Sequence, residues 1–293
     1  MNIAYRDFCE KIEKIRSDRI HGATFLAQEA LGAFKVLASS GASLSTLVEA
    51  AVSVANSRPM MAAQFRVGNE LLHFMDSERS IDSLIAHCDT LSTRMKRAPK
   101  EAAKYAADYI SGREKLLTHS YSSAVRMSIE RGVAFGNRPH LFCTESRPAN
   151  EGRDFADVLC RAGVDTTLIV DAAAPYLCGR VELVLLGADG IGPFGLVHKI
   201  GTYAIALAAK EYGVEVAVVA DSMKFWPSSV KKPIEPPKSS KELADGECFD
   251  VLNLYFDVTP LKYIDTVITE EGILDSESAA EVCQNIELHH MLE

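Results

Sequence analysis

No stretch of this 293-residue chain approaches the roughly 18 uninterrupted apolar residues that a membrane-spanning helix needs. Neither a membrane span nor a membrane partner is expected. The opening MNIAYRDFCEKIEKIR carries charge where a secretory signal needs an apolar core, which points to a cytoplasmic protein. Positive charge is also in short supply: 31 Lys and Arg stand against 40 Asp and Glu, for a net charge of −9. A broad phosphate-binding surface is thereby excluded, and direct nucleic-acid binding is not expected, although a local basic pocket for a small phosphate fits the same balance. The seven cysteines (Cys9, Cys88, Cys143, Cys160, Cys178, Cys248 and Cys283) form no CxxC pair and no Cys/His cluster at metal-ligand spacing. They read as free thiols, and neither a metal nor a cofactor is expected. What is abundant is core material, with 47% hydrophobic residues, enough for one large or two ordinary domains.

From the N-terminus to about Ser111 the apolar residues recur at three- and four-residue intervals, as in Phe25, Leu26, Ala30, Leu31, Phe34 and Leu37. That is the period of amphipathic helices. Gly41 and the Arg58-Pro59 step punctuate them, and Ser77 is expected to cap a helix starting near Glu78. After Gly112 the pattern changes to short β-rich apolar runs at 115–119, 141–144, 166–170, 183–186, 214–219 and 266–269. Windows long enough for crossover helices separate them, at 123–132, 151–163 and 199–213. The expected architecture is an all-helical N-terminal domain over 1–112 and an α/β domain over 113–293. The latter is Rossmann-like, with a largely parallel, doubly wound sheet. Residues 227–240 hold four prolines and are expected to be irregular and mobile, as a passive surface excursion rather than a lid.

In such sheets ligands sit beyond the carboxyl ends of the strands, so the short elements there carry the candidate chemistry. They are Thr118-His119-Ser120, Thr144 to Pro148, Gly187-Ala188-Asp189-Gly190 and Asp221 to Phe225. Together they supply a carboxylate, cations and hydroxyls, the set that a phosphorylated polyol requires. Asp189 taken alone reads more often as a turn former or helix cap than as a catalytic acid. The glycine-rich stretch 187–201 fails the dinucleotide fingerprint, because the GxGxxG register is missing and Pro193 and Phe194 put bulk where a pyrophosphate would approach. It reads instead as a tight hairpin leading into a helix that starts near Lys199, where that lysine reads equally as an anion holder helped by free amides and as a solvated side chain.

Eight ordered motifs between about residues 12 and 274 carry a family resemblance: HGATFLAQEAL, LLTHSYSSAV, TESRPANEGRDFA, LIVDAA, LLGADGI, KIGTYAIALAAKEYGV, DSMKFWP and FDVTPLKYIDTVITEEGI. They resemble the superfamily of translation initiation factor 2B alpha, beta and delta subunits, which also holds ribose-1,5-bisphosphate isomerase and methylthioribose-1-phosphate isomerase. In the isomerase branch the resemblance implies a cysteine after Thr-His and an aspartate in Gly-Ala-Asp, acting as an acid/base pair on C1 and C2 of an opened sugar. Asp189 matches the aspartate, but Ser120 stands at the cysteine position. A thiol titrates at roughly 8.5 and can share a proton near neutral pH, whereas a serine hydroxyl titrates far higher. The one adjacent base, His119, is expected to point to the other face of the strand. His198 replaces a family asparagine.

The phosphate-binding half matches more fully. The resemblance assigns His21, Gly22, Ala23 and Thr24 to a glycine-bearing phosphate loop, although His21 replaces an arginine. It makes Arg58 a phosphate arginine, places donors at Ser122 and Ser123, and completes the set with Lys199 and Lys224. Binding retained without efficient turnover implies an initiation factor 2B-like regulatory protein with a sugar-phosphate or nucleotide pocket between its domains. It further implies a homodimer through the C-terminal domain or a higher oligomer built on it, and initiation factor 2 as a candidate partner. The alternative is an active ribose-1,5-bisphosphate isomerase whose acid has moved, with Cys143 as the nearest nominee.

Overall fold

A computed structural model describes residues 3–78, 80–235, 238–244 and 248–293. Five helices come first: α1 (Ile3–Ser17), α2 (Ala23–Ser39), α3 (Leu44–Ala55), α4 (Ala62–Ser77) and α5 (Ile81–Tyr109). The helical period lines up Leu26, Leu31, Phe34 and Leu37 on one stripe of α2, and these pack with Leu47, Val54, Leu71 and Leu91 into a single core. Gly41 takes φ +78, a left-handed conformation that costs glycine little, and so turns the chain from α2 into α3. The expected cap at Ser77 is corrected. Ser77 ends α4, and Ser80 caps α5 by accepting from the Ser83 amide, because the chain needs a short extended step between the two helices.

The second half interleaves strands β1 (Lys115–Thr118), β2 (His140–Thr144), β3 (Asp165–Ile169), β4 (Leu183–Leu186), β5 (Gly190–Gly192), β6 (Gly195–Lys199), β7 (Glu215–Val219), β8 (Phe256–Thr259), β9 (Thr266–Thr269) and β10 (Gly272–Leu274). Helices α6 (Ser123–Ala134), α7 (Glu151–Arg161), α8 (Ala174–Leu177), α9 (Thr202–Tyr212) and α10 (Ser276–Gln284) connect or follow them. Seven strands form one sheet in the order β10-β9-β7-β4-β1-β2-β3, parallel except for the β9–β10 hairpin. Alternate residues face opposite sides: Leu117, Val184, Val216 and Val267 meet α8, α9 and α10, whereas Leu116, Leu141, Leu183 and Ala217 meet α5, α6 and α7. Helix α5 contributes Leu91 to the helical core and Ala102, Ala106 and Ile110 to the sheet core, so one 29-residue helix runs through both.

Strand order reverses direction between β1 and β4, where the crossovers pass to opposite faces of the sheet. The crevice beyond the carboxyl ends of those two strands is the ligand position of a doubly wound sheet. A small antiparallel sheet, β5-β6-β8, stands over it, and β5–β6 is the hairpin expected at 187–201. The helix expected from Lys199 instead begins at Thr202, and Lys199 closes β6. Between 227 and 240, Pro236 and Pro237 lie outside the described residues. The described remainder forms no strand or α-helix, and the Glu235 carboxylate is fixed by the amides of Tyr255 and Phe256 at 2.9 to 3.1 Å.

Candidate functional site

The crevice at the switch point has a volume of about 430 Å³ and is roofed by the helical half. Its roof begins with the turn between α1 and α2, where Asp18 Oδ1 accepts from the amides of Ile20 and His21. The His21 ring bonds Asp18 Oδ2 at 2.8 Å and stacks on Phe25 at 4.2 Å. Gly22 precedes α2 without any side-chain cap, which leaves the first amides of that helix open to the crevice. Arg58 reaches across and donates through one terminal nitrogen to the carbonyls of Arg16 at 3.2 Å and Asp18 at 2.7 Å. It therefore ties down the end of α1 as well as lining the crevice.

The floor is built at the strand ends. After β1, Ser120 sits at φ +68, a conformation that costs a residue with a Cβ energy and recurs at functional turns. Its hydroxyl donates to Glu151 Oε1 at 2.6 Å, and Lys199 Nζ meets the same oxygen at 2.9 Å. Ser122 caps α6 by accepting from the Val125 amide, so its oxygen is shared between the helix and anything bound there. After β4, the Asp189 amide donates to Val197 and its carbonyl accepts from Ala62 at the start of α4, which links the two halves. Lys224 arrives from the turn after β7.

Burial pushes the Asp189 carboxyl above the ordinary aspartate range, against the pull of Lys224, Lys199 and Arg58. His198 is 3% exposed, and burial together with nearby His119, Lys199 and Lys224 holds its imidazole well below the usual histidine value. His119 is neutral for the same first reason. A hydrogen-bond chain determines its tautomer. Nε2 must donate to the Ile200 carbonyl at 2.9 Å, so Nδ1 accepts from the Thr144 hydroxyl at 2.6 Å. That hydroxyl accepts in turn from Ser146 Oγ, which takes the Ser120 amide proton. Both ring nitrogens of His119 are thus committed, and its side chain does not serve Ser120.

Twelve candidate residues read from the sequence line this one crevice: His21, Gly22, Ala23, Thr24, Arg58, Ser120, Ser122, Ser123, Asp189, His198, Lys199 and Lys224. Cys143 does not line it. That thiol is 1% exposed, is packed in the sheet core and is pushed up to about 12 by burial, so it is corrected as a substitute acid. The helix-start setting expected for Lys199 is corrected too, because it projects from a strand end, where its ammonium meets Glu151. Sequence reasoning missed Glu151 and Tyr255, both in the lining. Glu151 sits seven residues beyond the end of β2 in the quoted TESRPANEGRDFA motif, and reading on into the start of α7 would have found it. The Lys199 ammonium lies 4.8 Å from the centre of the Tyr255 ring. Away from the crevice, Asp76, His289 and His290 bring ligand atoms within 4.8 Å. There His289 Nδ1 accepts from Met291 and Nε2 therefore donates to Asp76, which leaves that ring no lone pair for a metal.

Known proteins resemble the chain over most of its length. It is 34% identical to the ribose 1,5-bisphosphate isomerase of Methanocaldococcus jannaschii over 92% of both chains. A Pyrococcus horikoshii protein named as eIF-2B subunit 2-like is 32% identical over 90% of this chain and 95% of that one. The crystal structure of a Pyrococcus horikoshii OT3 translation initiation factor eIF-2B superposes with a TM-score of 0.82 at 30% identity, covering 92% of this chain and 97% of the other. A sequence profile of the initiation factor 2 subunit family matches residues 17–276, and with a core, a switch-point crevice and relatives that agree over this length, the chain belongs to that family.

Proposed function

We propose that this protein is an aldose–ketose isomerase acting on a ribose phosphorylated at C1 and C5, forming the corresponding ribulose bisphosphate. The observation that carries the reading is the meeting of Asp189, a carboxyl kept above its ordinary range, with Arg58, Lys199 and Lys224 in one crevice. An acid near the reacting carbons and cations for two phosphates are what this isomerisation needs. The similarity to proteins named ribose 1,5-bisphosphate isomerase supports it. This reverses the expectation of a non-catalytic protein, which rested on Ser120 standing where the branch has cysteine.

The regulatory reading keeps one specific observation in its favour: the Ser120 hydroxyl is engaged by Glu151, so position 120 offers no free proton donor. Under that reading the crevice binds the sugar phosphate or a nucleotide and signals occupancy to a partner such as initiation factor 2. Conversion of ribose 1,5-bisphosphate by the purified protein separates the two. Turnover by the wild type, reduced by about 10²- to 10⁴-fold in Asp189→Asn with affinity retained, is expected for general acid/base loss. Tight binding without any turnover would establish the regulatory reading instead.

A further inference from the structure

Besides Asp189, the crevice holds a second group suited to carry a proton, and its neighbours dictate which of its nitrogens is free. Thr202 has one hydroxyl proton and gives it to the Lys199 carbonyl at 2.7 Å. His198 Nδ1, 2.9 Å from the same oxygen, must therefore be the donor. In a neutral imidazole Nε2 is then a bare lone pair. It has no hydrogen-bond partner among the described residues, and it stands 3.6 Å from where a Cβ on Gly187, two residues before Asp189, would lie. The Asp189 amide bonds to Val197, the neighbour of His198, so acid and imidazole leave adjoining positions of one ladder.

We infer that His198 Nε2 carries the carbon-bound proton between C2 and C1 of the sugar, an assignment that rests on the isomerase reading above. The groups around it are His119, with a ring centre 6.2 Å away, Lys199 and Lys224, all of which oppose a second positive charge. A base kept neutral in this way returns its proton readily. Two neighbouring bases are unavailable. His119 has both nitrogens committed, while Glu151 has one oxygen held by Ser120 and Lys199 and the other buried.

The steps balance as follows. Asp189 enters protonated and gives its proton to the ring oxygen O4 as the C1–O4 bond breaks, leaving C1 electron-poor. Nε2 removes the hydrogen on C2 as a proton, and the C–H electron pair forms the C1=C2 bond. The imidazolium then returns that proton to C1, while the Asp189 carboxylate takes the hydroxyl proton from O2 and the ketone forms at C2. Both side chains end as they began, both phosphates stay in place, and no oxidant or reductant is consumed.

The test uses the full-length protein, ribose 1,5-bisphosphate and D2O, with the product read by NMR and affinity measured separately by calorimetry. The wild type is expected to place solvent deuterium at C1 of the ketose only to the extent that the carried proton exchanges with solvent while it rests on Nε2. His198→Asn and His198→Gln, which keep a polar side chain of similar size, are expected to lower kcat by about 10²- to 10⁴-fold while affinity stays within about threefold. Turnover in either variant within about threefold of the parent would overturn the assignment alone. Binding by the wild type with no turnover at all would overturn the assignment together with the isomerase reading.

Discussion

Two buried histidines with settled tautomers set a pH signature at the level of single residues. His119 and His198 are held neutral in the folded chain, while in the unfolded chain each takes a proton near pH 6.5. Their depressed values mean that the stability they contribute is present above that pH and is lost as pH falls below it. The slope is at most about 1.4 kcal/mol per pH unit for each proton. Asp257, which burial raises to about 6, works with the opposite sign: its contribution is present at low pH and is lost as pH rises through that value. The comparison of variant with parent therefore isolates the histidine. Urea unfolding at pH 7.5 and 5.5 should show a smaller loss in His198→Asn than in the parent, and equal losses would mean that His198 is charged in the fold.

At the level of elements, two glycines separate what the fold needs from what a ligand needs. A Cβ on Gly152, in the first turn of α7, would fall 1.9 Å from the Thr144 carbonyl and 2.8 Å from Ser146 Oγ. Gly152→Ala must therefore push α7 off the end of β2 and carry Glu151 with it, at a cost of about 1–3 kcal/mol. Gly22, before α2, has nothing within 4 Å of its added Cβ and an ordinary φ of −74. Gly22→Ala should leave unfolding nearly unchanged and weaken sugar-phosphate binding on the order of tenfold, about 1.4 kcal/mol, by crowding the open amides. Chemical denaturation together with ligand titration of both variants checks the pair. A Gly22→Ala protein that binds as tightly as the parent would remove the α2 turn from the site. The legibility of these elements was uneven. The strand runs 183–186 and 266–269 coincide with β4 and β9, because strands buried on both faces are continuous apolar runs. Lys199 was misplaced onto a helix because glycine and basic residues before an apolar stretch resemble a helix start equally well when a strand precedes it.

The whole molecule leaves apolar side chains uncovered on its C-terminal half, among them Leu252 at 78% and Ile273 at 52% exposure. A single sheet edge does not bury them, which favours association of two copies through this half. Light scattering at micromolar concentration should give twice the 32.0 kDa mass of one chain, and a monomer there would refute the association. The crevice joins both halves of the chain, with roof residues from the α1–α2 turn, the start of α2, the turn before α4 and Pro99 of α5, and floor residues from the strand ends of the α/β half. A sugar bisphosphate held there at 100 times its Kd should therefore stabilise the entire fold by about 2.7 kcal/mol, read as a raised thermal midpoint. A panel of sugar phosphates and nucleotides that moves no midpoint would exclude the pocket.

Periodicity and ordered motifs sufficed for the helical half, the parallel sheet, the family resemblance and twelve of the residues that line the crevice, because each of these depends on local patterns of apolar spacing or on residue identity. The tertiary structure alone decided which of those residues have free hands. Ser120 meets Glu151 across 31 positions, His119 meets Ile200 across 81, and Arg58 meets the end of α1 across about 40. Such pairings follow from how the sheet and helices pack, since a hydrogen bond forms over about 3 Å and no spacing along the chain encodes that approach. The same packing buried Cys143 and freed one nitrogen of His198, and with that it moved the candidate proton carrier from a thiol to an imidazole.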